Sequence, residues 1–95
     1  MKFAADIVYA KDPAKIAETR PAHREYLKGL LDSGHLAISG PFTDDSGGLL
    51  VYEAETLAEA EALLRNDPFA KAGVFVSWTM RGWRVIMSNP ALFPA

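Results

Sequence analysis

Residues 49–64, LLVYEAETLAEAEALL, combine two kinds of periodicity within sixteen positions. Leu49 to Glu53 is a short apolar run of the kind found in buried strands. Thr56 and Glu59 then form a capping-box pattern, in which the two side chains satisfy backbone N–H groups at a helix start. The predicted buried face of that helix consists of Leu57, Ala60, Leu63 and Leu64. The stretch therefore predicts a strand followed by an amphipathic helix.

The chain upstream of this stretch predicts another strand followed by another helix. Residues 3–9 alternate, with Phe3, Ala5, Ile7 and Tyr9 on one face. A turn or short helical segment is expected over residues 12–18. The main helix is expected to begin at Thr19 or Arg20, with Pro21 in its first turn, and to end before Gly34, which suits a left-handed cap. Its predicted apolar stripe is His23, Tyr26, Leu27, Leu30 and Leu31.

Two further strands complete the predicted order. Residues 35–39 read as a short strand that ends at Gly40-Pro41, and the polar residues 43–48 connect it to the strand at 49–53. Asn66-Asp67-Pro68 ends the second helix, and residues 68–72 predict one more helical turn. The last strand is expected to run from Val74 to about Met87. Its two predicted faces are Val74, Val76, Trp78 and Met80 on one side, and Phe75, Ser77, Thr79, Arg81 and Trp83 on the other.

The order β-α-β-β-α-β predicts an α+β fold of the ferredoxin-like kind, a four-stranded antiparallel sheet with two helices on one face. The uncovered face would expose Trp78 or Trp83 together with apolar neighbours. Exposed apolar patches of this kind usually mark an interface. We therefore expect a homodimer that packs sheet against sheet.

The composition limits the possible partners. A chain of 95 residues with a formal net charge of −2 predicts one domain, with residues 87–95 as a C-terminal tail, and gives no reason to expect nucleic acid as a partner. The absence of cysteine excludes disulfides and thiolate chemistry. No signal-peptide pattern or membrane-spanning apolar run is present, so a cytoplasmic protein is expected.

His23 and Asp67 are the candidate catalytic residues. His23 lies on the apolar stripe of the first helix, and Asp67 follows the second helix; in a two-layer fold both side chains are expected to reach one cleft. An imidazole oriented by a carboxylate transfers protons near neutral pH. Two structural alternatives stay open. His23 would then be a packed histidine bonded to a backbone carbonyl, and Asp67 would be only the N-cap before Pro68.

Four other residues are candidates for substrate binding. Arg20 would bind an anionic group, with an ion pair to Glu18 or Glu25 as the alternative. Gly40 and Pro41 would line the pocket if their turn lies beside His23, and Phe69 is either core or the apolar wall of the cleft. No metal site is expected: His35 reads as an exposed strand residue, and the acidic loop lacks the ligand spacing of a calcium site.

The ordered set of motifs resembles the YciI-like family of the dimeric α+β barrel superfamily. The motifs are Arg20-Pro21-Ala22-His23, Tyr26-Leu27, Gly34, Ser39-Gly40-Pro41, Gly47-Gly48, Asp67-Pro68-Phe69 and Ala72-Gly73. The resemblance implies sheet-to-sheet dimers and a His-Asp dyad at His23 and Asp67. One branch is similar to a dehydrochlorinase of a chlorinated hydroxyhydroquinone, and the superfamily includes muconolactone isomerases and monooxygenases that use no metal.

The leading functional hypothesis is a small cofactor-free enzyme. His23 and Asp67 would move a proton during elimination or isomerisation of a small hydroxylated or carbonyl compound. The alternative is a dimeric module that binds a small ligand or has a regulatory role without catalysis. The choice rests on the resemblance, because one fold carries many chemistries.

Overall fold

The strands and helices occur in the order β-α-β-β-α-α-β in the computed structural model, which describes residues 1–94. They are β1 (Lys2–Tyr9), α1 (Pro13–Ser33), β2 (Leu36–Pro41), β3 (Gly47–Glu53), α2 (Leu57–Arg65), α3 (Pro68–Lys71) and β4 (Phe75–Trp83), and a 3-10 turn follows at Pro90–Leu92. The strands form one antiparallel sheet of order β2-β3-β1-β4. The predicted ferredoxin-like fold is confirmed, and α3 is the predicted extra helical turn.

The core lies between one face of the sheet and the helices. The alternation predicted for β1 is confirmed, since Phe3, Ala5, Ile7 and Tyr9 are all buried. Helical residues close the core from the other side, and they include Ile16, Leu27, Ala60, Leu64 and Phe69. This packing of a period-2 face against period-3.6 faces holds α1 beside α3, with α1 in contact with β2 and α3 in contact with β4.

Helix α1 begins earlier than predicted. Asp12 is its N-cap and accepts a hydrogen bond from the Lys15 N–H at 3.1 Å, and Pro13 occupies the first turn. Pro21 therefore lies inside the helix, and the prediction of a separate start near Arg20 was wrong. Proline removes one helical hydrogen bond, which would reach the carbonyl of Ala17. Because both residues are exposed, water can satisfy that carbonyl.

In the last turn of α1 the predicted C-cap is confirmed, but the predicted buried stripe is shorter than expected. Gly34 adopts φ 80°, and its N–H caps the helix as predicted. Leu31, expected on the buried stripe, is exposed, so the stripe ends at the partly buried Leu30.

Strand β4 contains an irregularity that changes its faces. Val8 pairs with Ser77, whereas Tyr9 pairs with Phe75, so Val76 is an extra residue in the ladder. A bulge of this kind shifts the alternation by one position. Phe75, Trp78 and Met80 consequently pack toward the same core, and the predicted separation of Phe75 from the other two was wrong. The strand also ends at Trp83 rather than near Met87.

Helix α2 has the predicted cap. The Thr56 hydroxyl accepts from the Glu59 N–H at 3.2 Å, and the Glu59 carboxylate accepts from the Glu55 N–H at 3.0 Å. Ala60 and Leu64 are buried as expected. Leu57 was expected on the buried face but is 43% exposed, because the first turn of the helix extends past the edge of the core.

The sheet face turned away from the helices, hereafter the open face, carries exposed apolar side chains. Val8, Leu49 and Trp83 lie on it and are between 41% and 48% exposed. Trp83 is thus the exposed tryptophan of the two that were considered, since Trp78 packs against the core. The C-terminal segment runs beside this face, where Val51 and Phe93 line one cavity of about 680 Å³. No helix within residues 1–94 has the length and apolar character to cross a bilayer.

Candidate active site

His23 is held inside the protein by the second half of α1. It is 6% exposed, and its Nδ1 atom lies 2.7 Å from Oδ1 and 2.9 Å from Oδ2 of Asp67. Arg20 lies one turn earlier on the same side of the helix, at the i−3 position. The structure therefore brings together the two candidate catalytic residues, which are separated by 44 positions in the chain.

Asp67 is fully buried and has two partners. Its Oδ1 atom accepts a hydrogen bond from the Phe69 N–H at 2.8 Å, which makes Asp67 the N-cap of α3. The same carboxylate bonds His23. The capping and orienting interpretations of Asp67 are therefore not exclusive in this structure. A buried carboxylate with two hydrogen-bond donors avoids the cost of leaving a charge unpaired.

This arrangement fixes the roles of the two imidazole nitrogens. With Nδ1 donating its proton to the carboxylate, a neutral His23 presents Nε2 as a hydrogen-bond acceptor. Among the described residues, no hydrogen bond reaches Nε2, and the ring keeps 8% exposure. Chemically, an imidazole held by a carboxylate in this way can act as a base.

Aromatic rings hold His23 in place. The ring of Phe69 stacks on the imidazole with centroids 3.9 Å apart, and Phe75 meets it edge-on at 6.0 Å. Tyr9 in turn contacts Phe69 and Phe75 at 5.6 and 6.0 Å. Phe69 is only 1% exposed, so its ring supports His23 from inside the core.

Arg20 is half-buried in α1, one turn before His23. It takes part in none of the ion pairs among residues 1–94, so the alternative pairing with Glu18 or Glu25 is not formed. Burial raises the pKa of Tyr9, and Arg20 is the strongest of the charges that oppose this rise.

Gly40 and Pro41 are exposed at the end of β2, next to Gly48. A Cβ atom on Gly48 would lie 3.1 Å from the Gly40 carbonyl oxygen and 2.9 Å from the Tyr9 hydroxyl. The predicted pocket-lining turn therefore lies beside Tyr9, and Tyr9 connects it to the aromatic cluster around His23.

Tyr9, which contacts the aromatic rings that hold His23, is not among the site residues predicted from the sequence. Its place on the buried face of β1 suggested only a core role. The one available signal was Gly47-Gly48, which leaves space for a neighbour, but the register that places Gly48 near Tyr9 is visible only in the folded sheet.

The remaining polar candidates do not form a metal site. His35 is exposed and bonds Ser33, and within residues 1–94 no three His, Cys, Asp or Glu side chains are grouped to hold a metal ion. Hydrogen bonds from Ser46 lower the pKa of Asp44, which belongs to the exposed tip between β2 and β3.

Comparison with known proteins places the chain in a family. Residues 1–84 match the family model of the YCII-related domain. The chain belongs to this family. The sequence-based identification is thereby confirmed, and the matched residues include both His23 and Asp67.

Relatives of this chain include Protein YciI of Escherichia coli, 34% identical over an alignment covering 73% of this chain and 85% of that protein. A second is the derivative of benzaldehyde biosynthesis cluster protein C of Emericella nidulans, 33% identical, covering 67% of this chain and 76% of that protein. A solved structure is also similar: 5-chloro-2-hydroxyhydroquinone dehydrochlorinase (TftG) from Burkholderia phenoliruptrix in complex with 2,5-dihydroxybenzoquinone. It has a TM-score of 0.76 and 29% identity, and the match covers 88% of this chain and 94% of that chain.

Proposed function

We propose that this YCII-related protein is a cofactor-free enzyme that transfers a proton on a small hydroxylated or carbonyl compound. The observation that carries the proposal is the 2.7 Å contact between His23 Nδ1 and the buried Asp67 carboxylate. The likeness to an enzyme that acts on a hydroxyhydroquinone supports this class of substrate.

The proposed chemistry begins at Nε2 of His23, which removes a proton from a carbon or hydroxyl of the substrate. The electron pair left behind forms a new double bond, and either a leaving group departs with its own pair or the double bond shifts. Asp67 stabilises the imidazolium formed in this step. His23 then returns its proton to the substrate carbon in an isomerisation, or to solvent in an elimination.

Assays of His23 variants test this proposal. Chlorinated hydroxyhydroquinones, other hydroxylated aromatics and lactones are offered as substrates, and chloride release or isomerisation is followed. For a substrate turned over by the wild type, His23→Ala and His23→Gln should each lower kcat about 10²- to 10⁴-fold, the usual contribution of a positioned base. Full activity of His23→Gln would rule out the base role.

His35→Ala provides the matched control. His35 is the other histidine, is exposed, and is bonded to Ser33 away from the dyad. Its removal should leave kcat unchanged. If wild-type protein binds such compounds but converts none of them, the alternative of a non-catalytic ligand-binding or regulatory module is favoured instead.

A homodimer through the open face is the second part of the proposal. The exposed side chains of Val8, Leu49 and Trp83 support it, since an apolar patch of this kind gains free energy when a second copy covers it. Asp6 and Arg81 on the same face, neither of which is in an ion pair among residues 1–94, provide charges of both signs that a two-fold arrangement can pair.

A further inference from the structure

We propose that the Tyr9 hydroxyl and the Arg20 guanidinium together receive a negatively charged oxygen of the ligand beside His23. The inference rests on the proposed function for the role of His23, and it adds a substrate class, namely compounds that carry an enolate or phenolate oxygen. It also assigns to Tyr9 a role in binding.

The Tyr9 hydroxyl is the polar end of a largely buried side chain. Tyr9 is 6% exposed, and no hydrogen bond reaches its hydroxyl within residues 1–94. The only fully buried side-chain polar atom without a partner in that range is the hydroxyl of Tyr52. The Tyr9 hydroxyl therefore keeps some contact with solvent, from which side it can donate to a ligand.

Tyr9 and His23 pack against the same two aromatic side chains. Both rings pack on Phe69 and Phe75. The two groups offer complementary functions, because the phenol donates a hydrogen bond and Nε2 accepts one. A ligand with an acidic proton next to a negatively charged oxygen matches both.

Arg20 supplies the positive charge in this arrangement, since it lies one turn before His23 on the same side of α1. It is half-buried, unpaired among the described residues, and first among the charged groups that act on the Tyr9 hydroxyl. Asp67 and Asp45 act on the pKa of Tyr9 in the opposite sense, and Arg24 acts in the same sense as Arg20. Burial keeps the phenol protonated at neutral pH, so that Tyr9 stays a donor.

Gly48 leaves the space that this arrangement requires. A side chain there would meet the Tyr9 hydroxyl at 2.9 Å and the Gly40 carbonyl oxygen at 3.1 Å, distances too short for ordinary packing. The glycine thus lets the hydroxyl lie against the ends of β2 and β3. Gly40 and Pro41 form the wall on that side.

Binding of 2,5-dihydroxybenzoquinone, which carries acidic ring hydroxyls, tests the inference. Its affinity for the full chain is measured by absorbance titration. Tyr9→Phe keeps the ring contacts and removes only the hydroxyl, and it should weaken binding about tenfold or more, as expected for a lost hydrogen bond to a charged group. Arg20→Gln should weaken binding by at least as much.

Tyr52→Phe is the matched control, since it removes a hydroxyl that is fully buried and cannot reach a ligand. It should change the affinity less than twofold. Equal affinities of Tyr9→Phe and wild type, equal losses in Tyr9→Phe and Tyr52→Phe, or no binding to wild type at millimolar concentration would each overturn the inference. None of these results bears on the base role of His23, which the kcat of His23→Gln tests separately.

Discussion

At the scale of single residues, the most consequential atom is Oδ1 of Asp67. It accepts from the backbone of Phe69 and from the ring of His23, at 2.8 and 2.7 Å. The sequence could predict His23 and Asp67 as candidates, because His23 lies on a helical stripe and Asp67 stands before a proline. It could not predict that one oxygen serves both, since this depends on how α3 packs against α1.

Asp67→Asn separates these two roles. Asparagine is also a good N-cap, so the helix start should persist, whereas the negative charge beside His23 is lost. The imidazolium formed during proton transfer is then less stable, so Asp67→Asn should lower kcat about tenfold or more for a substrate that the wild type turns over.

Asp44→Asn serves as the control for this assay, because it removes an equal charge from the exposed hairpin tip. It should leave kcat unchanged. An unchanged kcat in Asp67→Asn as well would show that the carboxylate does not contribute to proton transfer.

At the scale of the elements, α1 shows what local rules decide and what they leave open. A proline does occupy the first turn of α1, as expected from its preference for that position. Two prolines were available, however, and Pro21 was the one predicted there. Because Asp12 is the N-cap, the proline in the first turn of α1 is Pro13. The bulge at Val76 is similar: nothing in the alternation of β4 marks the extra residue, which appears only when β4 is aligned with β1.

Gly29 lies inside α1 and Gly34 is its C-cap, and substitution of each by alanine is expected to have opposite effects on stability. Gly29 lies in the helix interior, and a methyl group added there would have no neighbour within 4 Å, so Gly29→Ala should raise the free energy of unfolding by about 0.5–1 kcal/mol. Gly34 has φ 80°, where a Cβ atom is strained, so Gly34→Ala should lower it by about 1 kcal/mol. Urea unfolding measures both, and equal effects would contradict the cap assignment.

At the scale of the whole molecule, the sequence predicted the sheet, its helical layer and an apolar second face. It did not predict that the C-terminal segment borders that face, because Pro90 and Phe93 carry no periodic pattern that specifies where they pack. The extent of the open face is therefore a property of the folded chain and not of β4 alone.

The proposed dimer can be disrupted from this face. Leu49→Glu places a charge among exposed apolar residues of the open face and should convert the dimer to a 10.4 kDa monomer in analytical ultracentrifugation. Leu57→Glu changes a leucine of nearly equal exposure on the helical side and should leave the mass unchanged. A wild-type protein that sediments as a monomer at micromolar concentration would refute the dimer.

The strand order has a consequence for how the chain can be divided. A cut at the exposed tip near Asp44 would leave β1 and β2 on one fragment and β3 and β4 on the other. Neither pair is adjacent in the sheet, since β3 lies between β1 and β2, and β1 lies between β3 and β4. Each fragment thus lacks the neighbouring strands with which its own strands pair. Each fragment also holds one residue of the dyad. In the assembled sheet the strands of the two fragments would alternate, so each fragment could complete its sheet only with the other. This fold is therefore suited to a split reporter.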